Sequence, residues 1–85
     1  MPIICRFYGI VIAMYFKDHS PPHLHAKYGG FEAQIRFDGS VLGGELPARA
    51  LRFVQEWIQI HADELHEDWR RAQSGELLLG IAPLE

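Results

Sequence analysis

From His23 to Phe37 the chain alternates apolar and polar residues with a period of two, interrupted once by Gly29-Gly30. Leu24, Ala26 and Tyr28 fall on one face of the first run, and His23, His25 and Lys27 fall on the other. After the glycine pair, Phe31, Ala33, Ile35 and Phe37 alternate with Glu32, Gln34 and Arg36. The pattern predicts two strands joined by a tight hairpin loop. Such a loop fixes the register, placing Tyr28 opposite Phe31, Lys27 opposite Glu32, His25 opposite Gln34 and His23 opposite Arg36. Both faces then agree, because Ala26 meets Ala33 and Leu24 meets Ile35 on the apolar side.

Upstream, residues 3–16 form a nearly unbroken apolar stretch, too long for one strand, and Gly9 divides it into predicted strands over 3–8 and 10–16. Lys17-Asp18-His19-Ser20-Pro21-Pro22 follows as a rigid connection, since adjacent prolines fix two φ angles and remove two donors. Downstream, Asp38-Gly39 signals a second hairpin into a short strand around 40–42, and Gly43-Gly44 is expected to end the sheet. Pro47 suits the first turn of a single helix over 47–73, closed by Ser74-Gly75. Leu51, Val54, Ile58, Ala62, Leu65, Trp69 and Ala72 share one helical stripe, the face expected against the sheet. Phe53, Trp57 and Ile60 lie on another side, which the segment 77–81, the sheet or a partner chain must cover, with Trp57 the preferred interface anchor. The expected class is α+β: an antiparallel meandering sheet of four to six strands with one long helix on one face.

The chain has 85 residues, enough for one domain spanning 1–85 and too few for a second core. A single cysteine, Cys5, allows no internal disulfide and points to a reducing compartment, so a cytoplasmic setting is expected. No apolar run approaches the roughly 18 residues of a membrane span, so no membrane partner is expected. Net charge is −3, from 8 basic and 11 acidic side chains, so any RNA contact must rest on a local patch.

These residues carry a resemblance over almost the whole length. Met1-Pro2-Ile3-Ile4-Cys5-Arg6-Phe7-Tyr8-Gly9-Ile10, then Met14-Tyr15-Phe16, then Asp18-His19-Ser20-Pro21-Pro22-His23-Leu24-His25 with Tyr28-Gly29 make up its first part. Leu46-Pro47-Ala48-Arg49-Ala50, Glu56-Trp57 and Glu64-Leu65 complete it. In these motifs the chain resembles a small bacterial family known as domain of unknown function 4160, with the Asp-His-x-Pro-Pro-His-x-His run the most specific of them. The resemblance implies a gene context like that of a toxin–antitoxin pair, and it assigns no catalytic residue.

Chemistry concentrates in that same run. His23 and His25 are two apart on a strand and so share a face, a spacing that offers two imidazoles to one divalent ion such as zinc, with His19 or Asp18 returning from the loop as a third ligand. Arg36 opposite His23 opposes such an ion. The same face also holds the inventory of a metal-independent ribonuclease: His23, His25 and Glu32 for proton transfer, Lys27 and Arg36 for the phosphate. The plainest alternative makes His23, His25, Lys27, Glu32, Gln34 and Arg36 the wet side of an ordinary sheet, with Lys27 and Glu32 paired across it. Three readings follow: a partner-dependent module that binds a cognate small protein or a second copy, which is favoured, a ribonuclease toxin, and a divalent-metal binder.

Overall fold

The computed structural model, which describes residues 2–85, contains five strands and two helices. The strands are β1 (Ile3–Phe7), β2 (Ile10–Ala13), β3 (His23–Tyr28), β4 (Phe31–Arg36) and β5 (Val41–Glu45), and the helices are α1 (Ala48–Ile60) and α2 (Ala62–Gln73). They form one antiparallel sheet in the order β1-β2-β3-β4-β5, so every strand pairs with its neighbour in sequence. The α+β class stands. So does the register of the central hairpin, from Tyr28↔Phe31 outward to His23↔Arg36. Met1, the first residue of the opening motif, lies outside the described residues.

Three boundaries differ from the sequence expectation, each for a local reason. β1 ends at Phe7 because Tyr8 and Gly9 form the turn itself, with φ of 53° and 80°. β2 stops at Ala13, since the chain then turns away, with Lys17 at φ 54° and its N–H bonded to Ala72 O at 3.1 Å. Gly43-Gly44, expected to end the sheet, lies inside β5, where the pairing slips between Gln34↔Gly43 and Ile35↔Val41. That slip is a bulge, and glycine makes it possible. Gly44 has φ 73°, and a Cβ there would stand 2.2 Å from the Glu32 carbonyl oxygen, a backbone atom that cannot swing aside. Gly44→Ala is therefore expected to lower stability by about 2–4 kcal/mol, combining the left-handed backbone with overpacking; urea denaturation of the two proteins measures it.

The single helix over 47–73 is in fact two. Pro47 is the N-cap of α1, not its first turn, and His61 leaves helical geometry at φ −113° and ψ 25°. His61 closes α1 through its N–H to Trp57 O and opens α2 by placing Nδ1 2.6 Å from Glu64 Oε1. The apolar stripe survives the break: Val54, Ile58, Leu65 and Ala72 all join the core formed with Ile12, Leu24, Ala26, Ala33 and Ile35 of the sheet. At the other end of α2, Glu76 N–H reaches Arg71 O at 2.9 Å while Gly75 takes φ 73°, a C-terminal arrangement that requires a residue without Cβ strain.

Residues after Gly75 form no regular element, yet they are fastened. Ile81 N–H bonds Ile4 O at 2.9 Å on the outer side of β1, and Leu79 N–H bonds Asp68 Oδ1 at 2.9 Å. Just beyond them Ala82 O accepts the Trp57 indole N–H at 2.8 Å. Trp57 is thus 0% exposed, stacked beside Phe7 at 5.6 Å between ring centres. This corrects the expectation that Trp57 anchors an interface: the tail of its own chain covers it. Phe53 is half-buried and Ile60 remains 62% exposed, so the second apolar side is only partly covered.

Candidate metal centre

The site is built where β3 begins. Strand alternation sends His23 and His25 to one face, and the connection between β2 and β3 brings Asp18 back over them. α2 holds that connection: its Ala72 carbonyl takes Lys17 N–H, and the Gln73 side-chain amide donates to Asp18 O at 3.2 Å. Asp18 Oδ2 then lies 3.0 Å from His23 Nε2 and 3.1 Å from His25 Nε2. Its other oxygen, Oδ1, accepts the His19 N–H at 2.8 Å, which fixes the carboxylate plane.

The opposite ring nitrogens decide the chemistry. His23 Nδ1 is 2.8 Å from Pro21 O, a carbonyl that can only accept, so Nδ1 carries a proton. His25 Nδ1 is 3.2 Å from Glu32 Oε2, again an acceptor. With both Nδ1 atoms donating, neutral rings present two bare Nε2 lone pairs to the same carboxylate oxygen. Such a meeting of lone pairs needs a positive charge at its centre, supplied by protonated imidazoles or by a cation. Imidazole ligands of metals characteristically donate their far N–H to a carboxylate or a backbone carbonyl, and this site shows one of each.

The donor set fits an ion in size as well. Asp18, His23 and His25 each offer an atom, and the three lie within 4.8 Å of one another. Bonds of about 2.0–2.1 Å separate adjacent ligand atoms by roughly 2.8–3.0 Å at octahedral corners and roughly 3.3–3.4 Å at tetrahedral ones. The two N···O separations of 3.0 and 3.1 Å fall between these values. Three protein ligands leave at least one coordination position for water or another ligand.

The surroundings revise the sequence picture of a wet sheet face. His23 is 4% exposed and His25 8%, because both faces of β3 are covered at this end. The Tyr15 ring meets His25 edge-on at 4.4 Å, and the Trp69 ring of α2 packs 5.5 Å from His23. Burial pushes the Asp18 carboxyl up, but the hydrogen bonds from His25 and His19 and the neighbouring imidazoles outweigh it, and the group sits below the ordinary aspartate range. Arg36, paired with His23 along the backbone, directs its guanidinium to Ser40 Oγ at 3.3 Å, so the expected opposition to an ion is drawn off along the sheet. His19 is exposed and contributes only its backbone, so the loop residue that faces the two imidazoles is Asp18 and not His19. Of the residues named for acid–base chemistry, His25 and Glu32 meet directly, and Arg36, named for the phosphate, turns to Ser40 instead.

Sequence reasoning missed Tyr15 and Trp69 as walls, and it missed Pro21 and Glu32 as partners of the far nitrogens. Trp69 was within reach, since the helical stripe already aims it inward. Tyr15 lies in the Met14-Tyr15-Phe16 motif, but nothing in that motif shows that its ring would cover His25.

These features define a small α+β protein whose five-stranded sheet and second helix enclose a cluster of two histidines and one carboxylate at the sheet's end. A family model for a domain of unknown function, DUF4160, matches residues 9–70, and the chain belongs to that family. No curated protein and no solved structure matches the chain. Among the described residues no helix is long and apolar enough to cross a membrane.

Proposed function

We propose that this protein binds one divalent metal ion, zinc or a similar transition metal, through Asp18 Oδ2, His23 Nε2 and His25 Nε2. The observation that carries this reading is the convergence of both Nε2 atoms on one carboxylate oxygen while both Nδ1 atoms are committed to acceptors. The ion would tie the 14–22 connection to β3 and keep an open position toward the solvent-facing edge of Asp18. A metal-independent ribonuclease draws less support, since its two imidazoles lie below the surface and Arg36 turns elsewhere. The buried Cys5, whose thiol burial pushes up, accords with a reducing cytoplasmic setting.

The test is metal content and titration. Protein stripped with chelator and titrated with zinc is expected to take up one equivalent, with heat of binding and perturbed His23 and His25 ring signals. Glu32→Gln, which weakens the far-nitrogen partner of His25 without touching a ligand, is expected to reduce affinity about 10–100-fold. A folded protein that takes up no zinc, cobalt or manganese, and whose histidine rings do not respond, overturns the reading.

A second reading, the partner-binding module, rests on a separate observation: Ile60 of α1 and Leu77 and Leu79 of the tail are all well exposed. A concentration-dependent mass, alone or with the product of a neighbouring gene, tests it, and a constant monomer mass in both conditions removes it.

A further inference from the structure

At the other end of β3, on the opposite face from the histidines, a cavity of about 520 Å³ opens between the Tyr8-Gly9 turn and the start of α1. Its floor is Ile10 and Ala50, both buried, and its walls are the rings of Tyr8, Tyr28 and Phe53 with the Arg49 guanidinium. The volume lies within the range of small-molecule sites. Four observations point to a ligand.

First, two of the three aromatic walls are largely exposed, while the third, Phe53, packs against the core. Tyr8 is 53% exposed and Tyr28 38%, although they stand together beside Phe53, with Tyr8 and Phe53 ring centres 5.0 Å apart. Contiguous exposed apolar surface of this kind marks binding sites more often than chance. Second, Tyr8 sits at φ 53°, a left-handed conformation that asparagine or glycine adopts readily and a bulky ring adopts at a steric cost. Turn stability does not explain a tyrosine there, its ring touches Phe7 and Phe53 yet stays half open to solvent, and strained residues of this kind cluster at ligand sites. Third, Arg49 lies 5.7 Å over the Phe53 ring and makes no ion pair with Asp or Glu among the described residues. Fourth, the cavity lining contains no acidic side chain in a chain whose net charge is −3, and the first turn of α1 beside it has neither an acidic residue nor a side-chain cap.

From these we infer that the Tyr8–Tyr28–Phe53–Arg49 cavity binds a planar aromatic ring bearing an anionic group, phosphate or carboxylate. The ring stacks among the aromatic walls, whose π-faces accept any flat ring, and the anion meets the guanidinium, whose planar fork matches either oxyanion. Tyr8 is placed by its turn to form the outer wall. The site is independent of the metal reading, from which it is separated by the length and the thickness of β3.

The experiment is an amide NMR titration of the full chain with two anionic probes, adenosine 5′-monophosphate and indole-3-acetate, each against its uncharged counterpart, adenosine and indole. Shifts are expected at Tyr8, Tyr28, Arg49, Ala50 and Phe53 and not at Asp18, His23 or His25, and which anionic probe binds tighter identifies phosphate or carboxylate as the group. The anionic member of the preferred pair is expected to bind at least about tenfold tighter than its counterpart, and Arg49→Met is expected to erase that preference. Tyr8→Asn separates ligand binding from structure: it relieves the turn, so the melting temperature is expected to rise by about 5 °C, while affinity falls about tenfold. The inference is overturned if neither anion shifts these amides at millimolar concentration, if the uncharged partners bind as well, or if Tyr8→Asn keeps full affinity.

Discussion

Asp18→Ala is expected to abolish stoichiometric zinc uptake, lowering affinity at least about a hundredfold, equivalent to about 2.7 kcal/mol. Asp18 Oδ2 is the one atom both imidazoles share, at 3.0 and 3.1 Å, so its loss leaves two ligands on a single strand with nothing to close the site. Isothermal titration of the chelator-stripped variant measures the loss directly. Asp18→Asn separates charge from shape, since the amide keeps an oxygen but removes the negative charge that balances the cation. The metal-free protein gives a second readout. Because the Asp18 carboxyl is held below its ordinary range in the folded chain, its contribution to stability is present above the unfolded carboxylate pKa and fades as pH falls through the lower folded value. Asp18→Asn is expected to flatten that acid limb of the stability profile, measured by urea denaturation at a series of acid pH values. An unchanged profile would falsify the coupling between Asp18 and the two rings.

Trp57→Ala is the substitution expected to harm the fold most. Removing a fully buried indole from a packed core costs about 3–5 kcal/mol, and the Ala82 carbonyl loses its donor as well. For a domain of this size a loss of that order lowers the melting temperature by roughly 15–30 °C, out of a total stability of only about 5–15 kcal/mol. Thermal melting followed by far-ultraviolet circular dichroism checks it. Trp57→Phe keeps most of the packing and removes only the N–H, so a loss of about 1–2 kcal/mol isolates the hydrogen bond to the tail. If Trp57→Ala melts within a few degrees of the parent, the tail is not the cover described above.

The central hairpin was legible in the sequence down to its register, because a period of two and a two-residue loop leave one solution in which both faces agree. Asp18, His23 and His25 were legible as candidates from spacing alone. Their environment was not. Alternation tells which residues share a face and is silent on what lies over it, and the cover here comes from Tyr15 on a turning loop and Trp69 on a helix far along the chain. The break at His61 was hidden for a related reason. The apolar stripe keeps its 3.6-residue phase through the bend, and the departure is made by backbone angles at a residue that no helix-breaking rule singles out. Gly43-Gly44 misled in the opposite sense, since glycine pairs end strands in most contexts and here allow a bulge to continue one. For Trp57 the sequence left three covers open, the segment 77–81, the sheet or a partner chain, and preferred an interface; the tail that covers it has no periodicity to announce its path.

Lys17 and Gln73 give the candidate ion an influence beyond its ligands. The stretch that carries Asp18 is pinned to the closing turn of α2 by the Lys17 amide and the Gln73 side chain, and α2 in turn presses Trp69 on His23. Strand start, loop and helix end therefore meet as the parts of a clasp. An occupant at its centre would draw all three shut, and its departure would slacken them together.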